Sequence, residues 1–439
     1  MLLFAFLLRL NFKTCIYGWD ETIYLQHAEI ISGFKENNFD EFYFRPLPIS
    51  IMIAGIYKIY HDPVIANILM AILGTLTVAI IFLICKKIAN EKVAYVSAFV
   101  TALWPIHIYY SKLVLTHIPA MFFSALMLYF LKEGEEKDKL FYFFLSGLFL
   151  GLTILTRFTY LFLPIIVLAN IYLFREKYNL KKLILMALGF SIFTLPYLLW
   201  SYYEFSDPLY PIKMARTIVS WTYESPINYY LLHFPNVLGA FGTIGIIGWI
   251  YLKRKEKLNK NEIVLLLWIF LFFGLIHTIS HKEERYLMPL LLPTMILSSI
   301  GVTEIARKKN SVFLLLVLII PLFILLQPTY MTDLPCDNPA KEAAIWINNY
   351  TKGNCLIYAQ EDVPHLAYYS NCEVRLAPYH REEFFKNITY YMDKEGYYVY
   401  SIKQENVKEF PKLSELMKNE HFELMKEINE TYIFKYIPK

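Results

Sequence analysis

The sequence predicts an α-helical polytopic membrane protein of about 11 transmembrane helices, followed by a small C-terminal extracytoplasmic α/β domain. Three observations predict it. First, 56% of the 439 residues are hydrophobic and only 18% are charged, where soluble domains carry about a quarter charged residues. The mean hydropathy is +0.39, an apolar excess that one water-soluble core cannot hide. Second, apolar runs close to the ~20 residues that cross a bilayer core recur through most of the chain. Third, basic residues gather in every second loop between those runs. Composition excludes other classes. Sixteen Gly and 21 Pro are too few for a fibrous or low-complexity chain, and five Cys do not make a disulfide scaffold. The apolar content excludes disorder. The net charge of +4 follows from topology, so nucleic acid is not expected as a partner.

Charge divides the chain in two. Residues 328–439 hold 13 Lys and Arg against 17 Asp and Glu, and the preceding residues hold 29 against 21. A transmembrane domain at 1–327 and a soluble domain at 328–439 follow. Spans are expected at 64–85, 93–110, 114–131, 140–156, 159–174, 183–202, 231–252, 263–279, 286–304 and 311–327. Met1 to Leu8 is apolar but Arg9 follows at once, which reads as a shortened first helix over about 1–15.

The loops set the topology. Lys86, Lys87 and Lys92, then Lys132, Lys137 and Lys139, Arg175 to Lys182, Lys253 to Lys260, and Arg307 to Lys309 give 18 basic residues in alternate loops. The intervening short loops hold six: Lys112, Arg157, Lys213, Arg216, Lys282 and Arg285. The positive-inside rule puts the first set in the cytoplasm. The segment 16–63 and the tail 328–439 then face outside a cell membrane that the chain crosses many times. The sequons at Asn349, Asn387 and Asn429 all fall in that tail. So do Cys336, Cys355 and Cys372, where a disulfide could form.

Inner-loop charges orient the protein; the outer ones need another reason. In Gly18-Trp-Asp-Glu-Thr-Ile-Tyr-Leu-Gln-His, the residues Asp20, Tyr24, His27 and Ile31 recur at helical spacing. That predicts a surface helix starting near Asp20, with Asp20 and Glu21 in the first turn, where carboxylates suit the helix dipole. Phe44-Arg-Pro-Leu-Pro opens a second surface helix, because a span there would invert every later loop. Arg45 beside that helix start is suited to a phosphate, although Pro46 and Pro48 remove two N–H groups. Further outer sites are Ser111-Lys112 to His117, Thr156-Arg157, the loop with Glu204, Asp207 and Arg216, and His277 to Tyr286. Together they gather acids and cations on one membrane face and leave span interiors nearly uncharged. A transporter places such groups near the midplane, whereas an enzyme acting on a lipid-linked substrate needs them at one interface.

The sequence has no Gly-x-Ser-x-Gly, Walker loop, His-Glu-x-x-His or Cys-x-x-Cys motif. A carboxylate near clustered cations suits transfer from a phosphate leaving group. The acid takes a proton from an acceptor hydroxyl, and the cations take up charge on the departing phosphate. A polyprenyl-phosphate-linked sugar is such a donor.

The short first helix, Asp20-Glu21 with Tyr24, and Arg45-Pro-Leu-Pro resemble the integral-membrane GT-C glycosyltransferases, nearest to their protein O-mannosyltransferase and aminoarabinose-transferase-like branch. Gly147-Leu-Phe-Leu-Gly-Leu-Thr-Ile-Leu-Thr-Arg157 is similar to that family's Gly-rich run, and Glu284-Arg-Tyr-Leu-Met-Pro289 to its late Arg-Tyr element. The resemblance covers about residues 1–305. It implies that Asp20 is the catalytic base with Glu21 as acidic partner, and that Arg45 and Arg285 hold the lipid phosphate. Lys112 and Arg157 join them as candidate donor-phosphate ligands. His117 stands where members usually carry an acid and takes a supporting role. The absence of Trp-Trp-Asp-Tyr-Gly separates the chain from oligosaccharyltransferases.

The expectation is an inverting glycosyltransferase moving a sugar from a polyprenyl (dolichyl) phosphate to a glycan, lipid or protein acceptor on the outer face. A transporter or flippase of lipid-linked sugars is the alternative, and a non-catalytic membrane receptor a third reading. No cofactor is required. Metal dependence stays open, since Asp20, Glu21 and His117 could hold a divalent ion. In the tail, Ala340 to Tyr350 reads as a helix, and Leu356–Tyr358, Tyr397–Ser401 and Thr431–Tyr436 read as strands.

Overall fold

The computed structural model describes residues 1–10, 18–38, 45–221, 225–254, 256–309, 338–378 and 381–438. The expected span at 311–327 and Cys336 lie outside the described residues. The described residues fall into two compact units, one of 1–10, 45–49 and 64–309, the other of 18–38, 50–63 and 338–438.

The first unit is helical. Every span expected between 64 and 304 coincides with a helix or a broken helix. Among the described residues, four helices are long and apolar enough to cross a membrane: Pro63–Ile88, Leu180–Phe205, Lys260–His277 and Glu284–Arg307. A fifth is added if Tyr229–Gly239 and Phe241–Lys253 are one bent span, broken at Gly239, whose φ of 65° suits a residue without Cβ. The other predicted spans are broken, short or charged at one end. The run at 93–110 divides into Glu91–Leu103 and Pro105–Tyr110, because Trp104 precedes a proline and takes extended backbone. Leu140–Thr156 has 17 residues. His117–Lys137 ends in Lys132, Glu133, Glu135, Glu136 and Lys137.

Those end charges are paired. Lys132 Nζ donates to Glu135 Oε2 at 2.9 Å and to Asn170 Oδ1 at 2.7 Å. Asn170 Nδ2 and the Tyr178 hydroxyl each donate to Glu135 Oε1 at 2.6 Å. A buried charge is tolerated when its partners are complete, as here. Arg9 is also fully buried. Its Nη1 donates to the carbonyls of Ala5 at 2.8 Å and Ala102 at 3.2 Å, and its Nη2 to that of Thr101 at 3.2 Å. Nη2 also donates to His107 Nδ1 at 2.8 Å. A cation on the last carbonyls of Glu91–Leu103 satisfies that helix end. This is the physical reason for an Arg that interrupts the apolar N-terminal run.

In the second unit, five strands order as β2-β1-β3-β5-β4: β1 Leu356–Ala359, β2 Glu373–Leu376, β3 Gly396–Ser401, β4 Phe422–Ile428 and β5 Thr431–Tyr436. β1 runs parallel to β2 and β3, and β5 antiparallel to β3 and β4. One core joins helices Pro339–Thr351 and Val363–Tyr369 to the sheet through Ala344, Ile347, Ile357, Leu366 and Val374, with Trp19 packed against it. The other joins Tyr358, Phe384, Tyr398, Phe422 and Phe434. The predicted helix and three strands are all present. Cys355 and Cys372 form a disulfide. The segment 18–38 folds as the helix Trp19–Ser32 and leads into this unit. The helix Pro48–Tyr57 is present as expected, and its Ser50 hydroxyl donates to the Tyr24 carbonyl at 3.0 Å.

Candidate active site

Arg157, Arg285 and His117 come together in the first unit, although they come from widely separated parts of the chain. Arg157 ends the helix Leu140–Thr156. The approach of that helix to Leu180–Phe205 rests on glycine: a Cβ at Gly147 would stand 2.0 Å from the Met186 carbonyl oxygen, and one at Gly189 2.1 Å from that of Phe144. Small residues let helix backbones meet in this way, and Arg157 is carried at the end of the packed pair. Its Nη1 donates to Thr116 Oγ1 at 3.1 Å, immediately before His117.

Arg285 lies in the 3-10 turn Glu284–Leu290. The two guanidiniums share one ring, with Arg157 Cζ 5.7 Å and Arg285 Cζ 5.6 Å from the centroid of Tyr286. Like charges repel, and a shared aromatic ring offsets part of that cost. Arg285 also grips Glu283 with two hydrogen bonds, Nε to Oε2 at 2.5 Å and Nη2 to Oε1 at 2.8 Å. His281 Nε2 at 2.9 Å and the Tyr286 hydroxyl at 3.2 Å reach Glu283 Oε1 as well. Burial pushes the Glu283 carboxyl up, but Arg285 and then His281 hold it below the usual carboxylate range. His117 is buried at the N-terminus of its helix and stacks on Tyr110 with centroids 5.0 Å apart. Both its ring nitrogens lack a hydrogen-bond partner among the described residues. The charges of Arg157 and Arg285 reach it.

Lys112 follows the helix Pro105–Tyr110, and its backbone carbonyl accepts from Asn67 Nδ2 at 2.7 Å. Arg45 stands ahead of Pro48–Tyr57 and is half-buried. Asp20 and Glu21 belong to the second unit, in the first turn of Trp19–Ser32. Glu21 is buried and its Oε2 accepts the Gly18 N–H at 3.0 Å, so it closes the N-terminus of that helix. Asp20 is half-exposed. No three His, Cys, Asp or Glu side chains converge to hold a metal ion among the described residues.

Other charges that the sequence singled out have structural partners. Asp207 accepts the Leu209 N–H at 3.0 Å and pairs with Lys213 at 2.5 Å. His277 Nδ1 donates to the Phe273 carbonyl at 2.7 Å. Lys282 Nζ turns onto the carbonyls of Ser225 and Ser280. Sequence reasoning marked the run His277 to Tyr286 but gave Glu283, His281 and Tyr286 no role. Their signal was the density of ionisable groups at a span end.

Comparisons with known proteins agree with this architecture. Residues 45–200 match the family model of dolichyl-phosphate-mannose-protein mannosyltransferases, and residues 224–340 that of the Alg9-like mannosyltransferase family. A direct comparison with curated proteins returns no match. Among solved structures, ArnT from Cupriavidus metallidurans bound to undecaprenyl phosphate superposes with a TM-score of 0.75 at 12% identity, over 99% of this chain and 97% of that one. The oligosaccharyltransferase of Archaeoglobus fulgidus, tethered to an acceptor peptide with an NVT sequon, gives 0.66 at 15% identity, over 92% of this chain and 69% of that one. The same organism's AglB, with an inhibitory peptide and a dolichol-phosphate, gives 0.62 at 14% identity with the same coverage. At such identities the likeness is one of fold, and it extends to oligosaccharyltransferases even though their Trp-Trp-Asp-Tyr-Gly motif is absent. The resemblance to integral-membrane GT-C glycosyltransferases, which use lipid-linked donors, holds in both family models and in fold.

Proposed function

We propose that the protein is an inverting glycosyltransferase that moves a sugar from a polyprenyl phosphate to an acceptor on the outer face of the membrane. The observation that carries this reading is the pair of guanidiniums, Arg157 and Arg285, gathered about the one ring of Tyr286. Two forked cations at one position suit the oxygens of a phosphate better than a passive structural role does. Arg45 and Lys112 are further phosphate ligands in this reading.

Asp20 is the general base. The acceptor oxygen attacks the anomeric carbon and its proton passes to Asp20. The bond from that carbon to the phosphate oxygen breaks, and the phosphate leaves with the electron pair. Negative charge then grows on the phosphate, so cations there stabilise the transition state more than the bound donor. Glu21 supports Asp20 by fixing the start of its helix, and His117 lines the cationic site. The C-terminal unit faces the same side as the acceptor.

The test uses purified full-length protein, a radiolabelled polyprenyl-phosphate sugar and native membrane extract. Wild type should move label from donor to an acceptor, and Asp20→Asn should not while remaining folded. Full activity in Asp20→Asn removes Asp20 from the mechanism. Label untouched by wild type across a panel of donors overturns the transferase reading.

A further inference from the structure

Two guanidiniums alone would bind best whatever carries the most negative charge. A sugar phosphodiester carries one negative charge, whereas the prenyl phosphomonoester left after transfer carries about 1.5 to 2 at pH 7. A purely cationic cradle therefore holds its own product more tightly than its donor. The cradle is not purely cationic. Glu283 lies on Arg285 through two hydrogen bonds and is held ionised there by Arg285 and His281. The neighbouring charges do not take over this part. Lys282 is spent on backbone carbonyls, and Glu284 is engaged by His233 Nδ1 at 2.6 Å.

We propose that Glu283 is a specificity residue: its carboxylate on Arg285 lets the Arg157–Arg285 site accept a phosphodiester and weakens its hold on the phosphomonoester product. The inference rests on the phosphate-site reading above. It also separates two demands on the site. Arg157 and Arg285 favour the charge that grows as the bond breaks, and Glu283 opposes the full second charge, so the product leaves.

The experiment measures calorimetric binding of farnesyl phosphate, a monoester, and farnesyl methyl phosphate, a diester, to the full chain in lipid nanodiscs. In Glu283→Gln the monoester should bind about tenfold tighter, while the diester changes by less than about threefold. Glu283→Asp keeps the charge and should keep the wild-type ratio. With labelled donor, Glu283→Gln should retain its first turnover and then stall under product inhibition. An unchanged ratio in folded Glu283→Gln overturns the proposal. So does a wild type that already binds the monoester more than about tenfold tighter than the diester, a measurement that needs no variant. Arg157→Gln and Arg285→Gln separate this failure from that of the underlying reading. If both leave binding of both probes intact, the phosphate site itself is refuted. If they weaken both probes but Glu283→Gln leaves the ratio unchanged, only the role of Glu283 falls.

Discussion

Asn38 and Val374 share a backbone hydrogen bond, 2.9 Å from the Val374 N–H to the Asn38 carbonyl, that ties the segment after the helix Trp19–Ser32 to the edge strand β2. The Asn38 side chain adds to it. Its Nδ2 donates to the carbonyls of Ala367, Ser370 and Cys372 at 3.0, 3.2 and 2.8 Å, and its Oδ1 accepts from Gln26 Nε2 at 2.6 Å. Asn38→Ala removes these bonds and leaves carbonyls without their donor, at a cost of about 2 kcal/mol. Thermal unfolding should show the second unit melting ~4–8 °C lower. A melting temperature equal to wild type would mean that the side chain is not what holds the segment.

That clamp also shows what the sequence alone conveyed and what it did not. The helix at Asp20 was legible because Asp20, Tyr24, His27 and Ile31 repeat at helical spacing. Its attachment was not, since the side-chain partners of Asn38 lie as far as 334 residues away and no local pattern reports them. The strands β1, β3 and β5 are apolar and β-branched or aromatic, and they stood out. β2, Glu-Val-Arg-Leu, is a four-residue edge, and β4, Phe-Glu-Leu-Met-Lys-Glu-Ile, is mostly exposed without clean alternation. In the candidate site, Arg157 and Arg285 were legible as charges with no topological reason. Their common ring, Tyr286, stood in the Arg-Tyr element, but nothing local gave it a role apart from the 35 tyrosines that a membrane protein uses mostly as interfacial belt. Glu21 was legible as an acid in a first turn, and its Oε2 accepts the Gly18 N–H there.

Lys35 gives a pH dependence with a definite sign. Its Nζ is half-buried and donates to the carbonyls of Ala367 and Tyr368. Burial lowers its pKa from 10.5 to about 8, with Glu29 opposing the shift. The folded chain thus gives up this proton before the unfolded chain does. Between about pH 8 and 10.5 the unfolded state holds more protons, and stability rises with pH. The contribution is complete above the unfolded value and is lost as pH falls through the folded one. Relative to Lys35→Met, wild type should gain melting temperature over that window. A difference that stays flat from pH 7 to pH 11 would show that Lys35 titrates as in solution.

The Gly147–Gly189 crossing predicts an effect on Arg157 without touching it. Alanine at either position places a Cβ near 2 Å from a backbone oxygen of the facing helix, and backbone cannot yield as a side-chain tip can. The helices must separate, at about 1–3 kcal/mol or more. Gly147→Ala and Gly189→Ala should therefore lower thermal stability and also weaken binding of a prenyl phosphate, because Arg157 ends the displaced helix. Gly274 faces open space, so Gly274→Ala should leave both readouts at the wild-type level. Equal behaviour of the three variants would refute the packing account.

Arg285 and Arg157 should separate binding from chemistry when steady-state constants are measured. If the guanidiniums act on charge that grows during bond cleavage, Arg285→Gln lowers kcat by about 10²–10³-fold with a smaller change in KM. If they only hold the donor, KM rises and kcat stays. Arg157→Lys keeps the charge but loses the fork that reaches Thr116 Oγ1 and lies against Tyr286. It should therefore recover only part of the activity lost in Arg157→Gln. Full recovery by lysine would mean that the site reads charge alone, and the ring shared by the two arginines would then be packing rather than alignment.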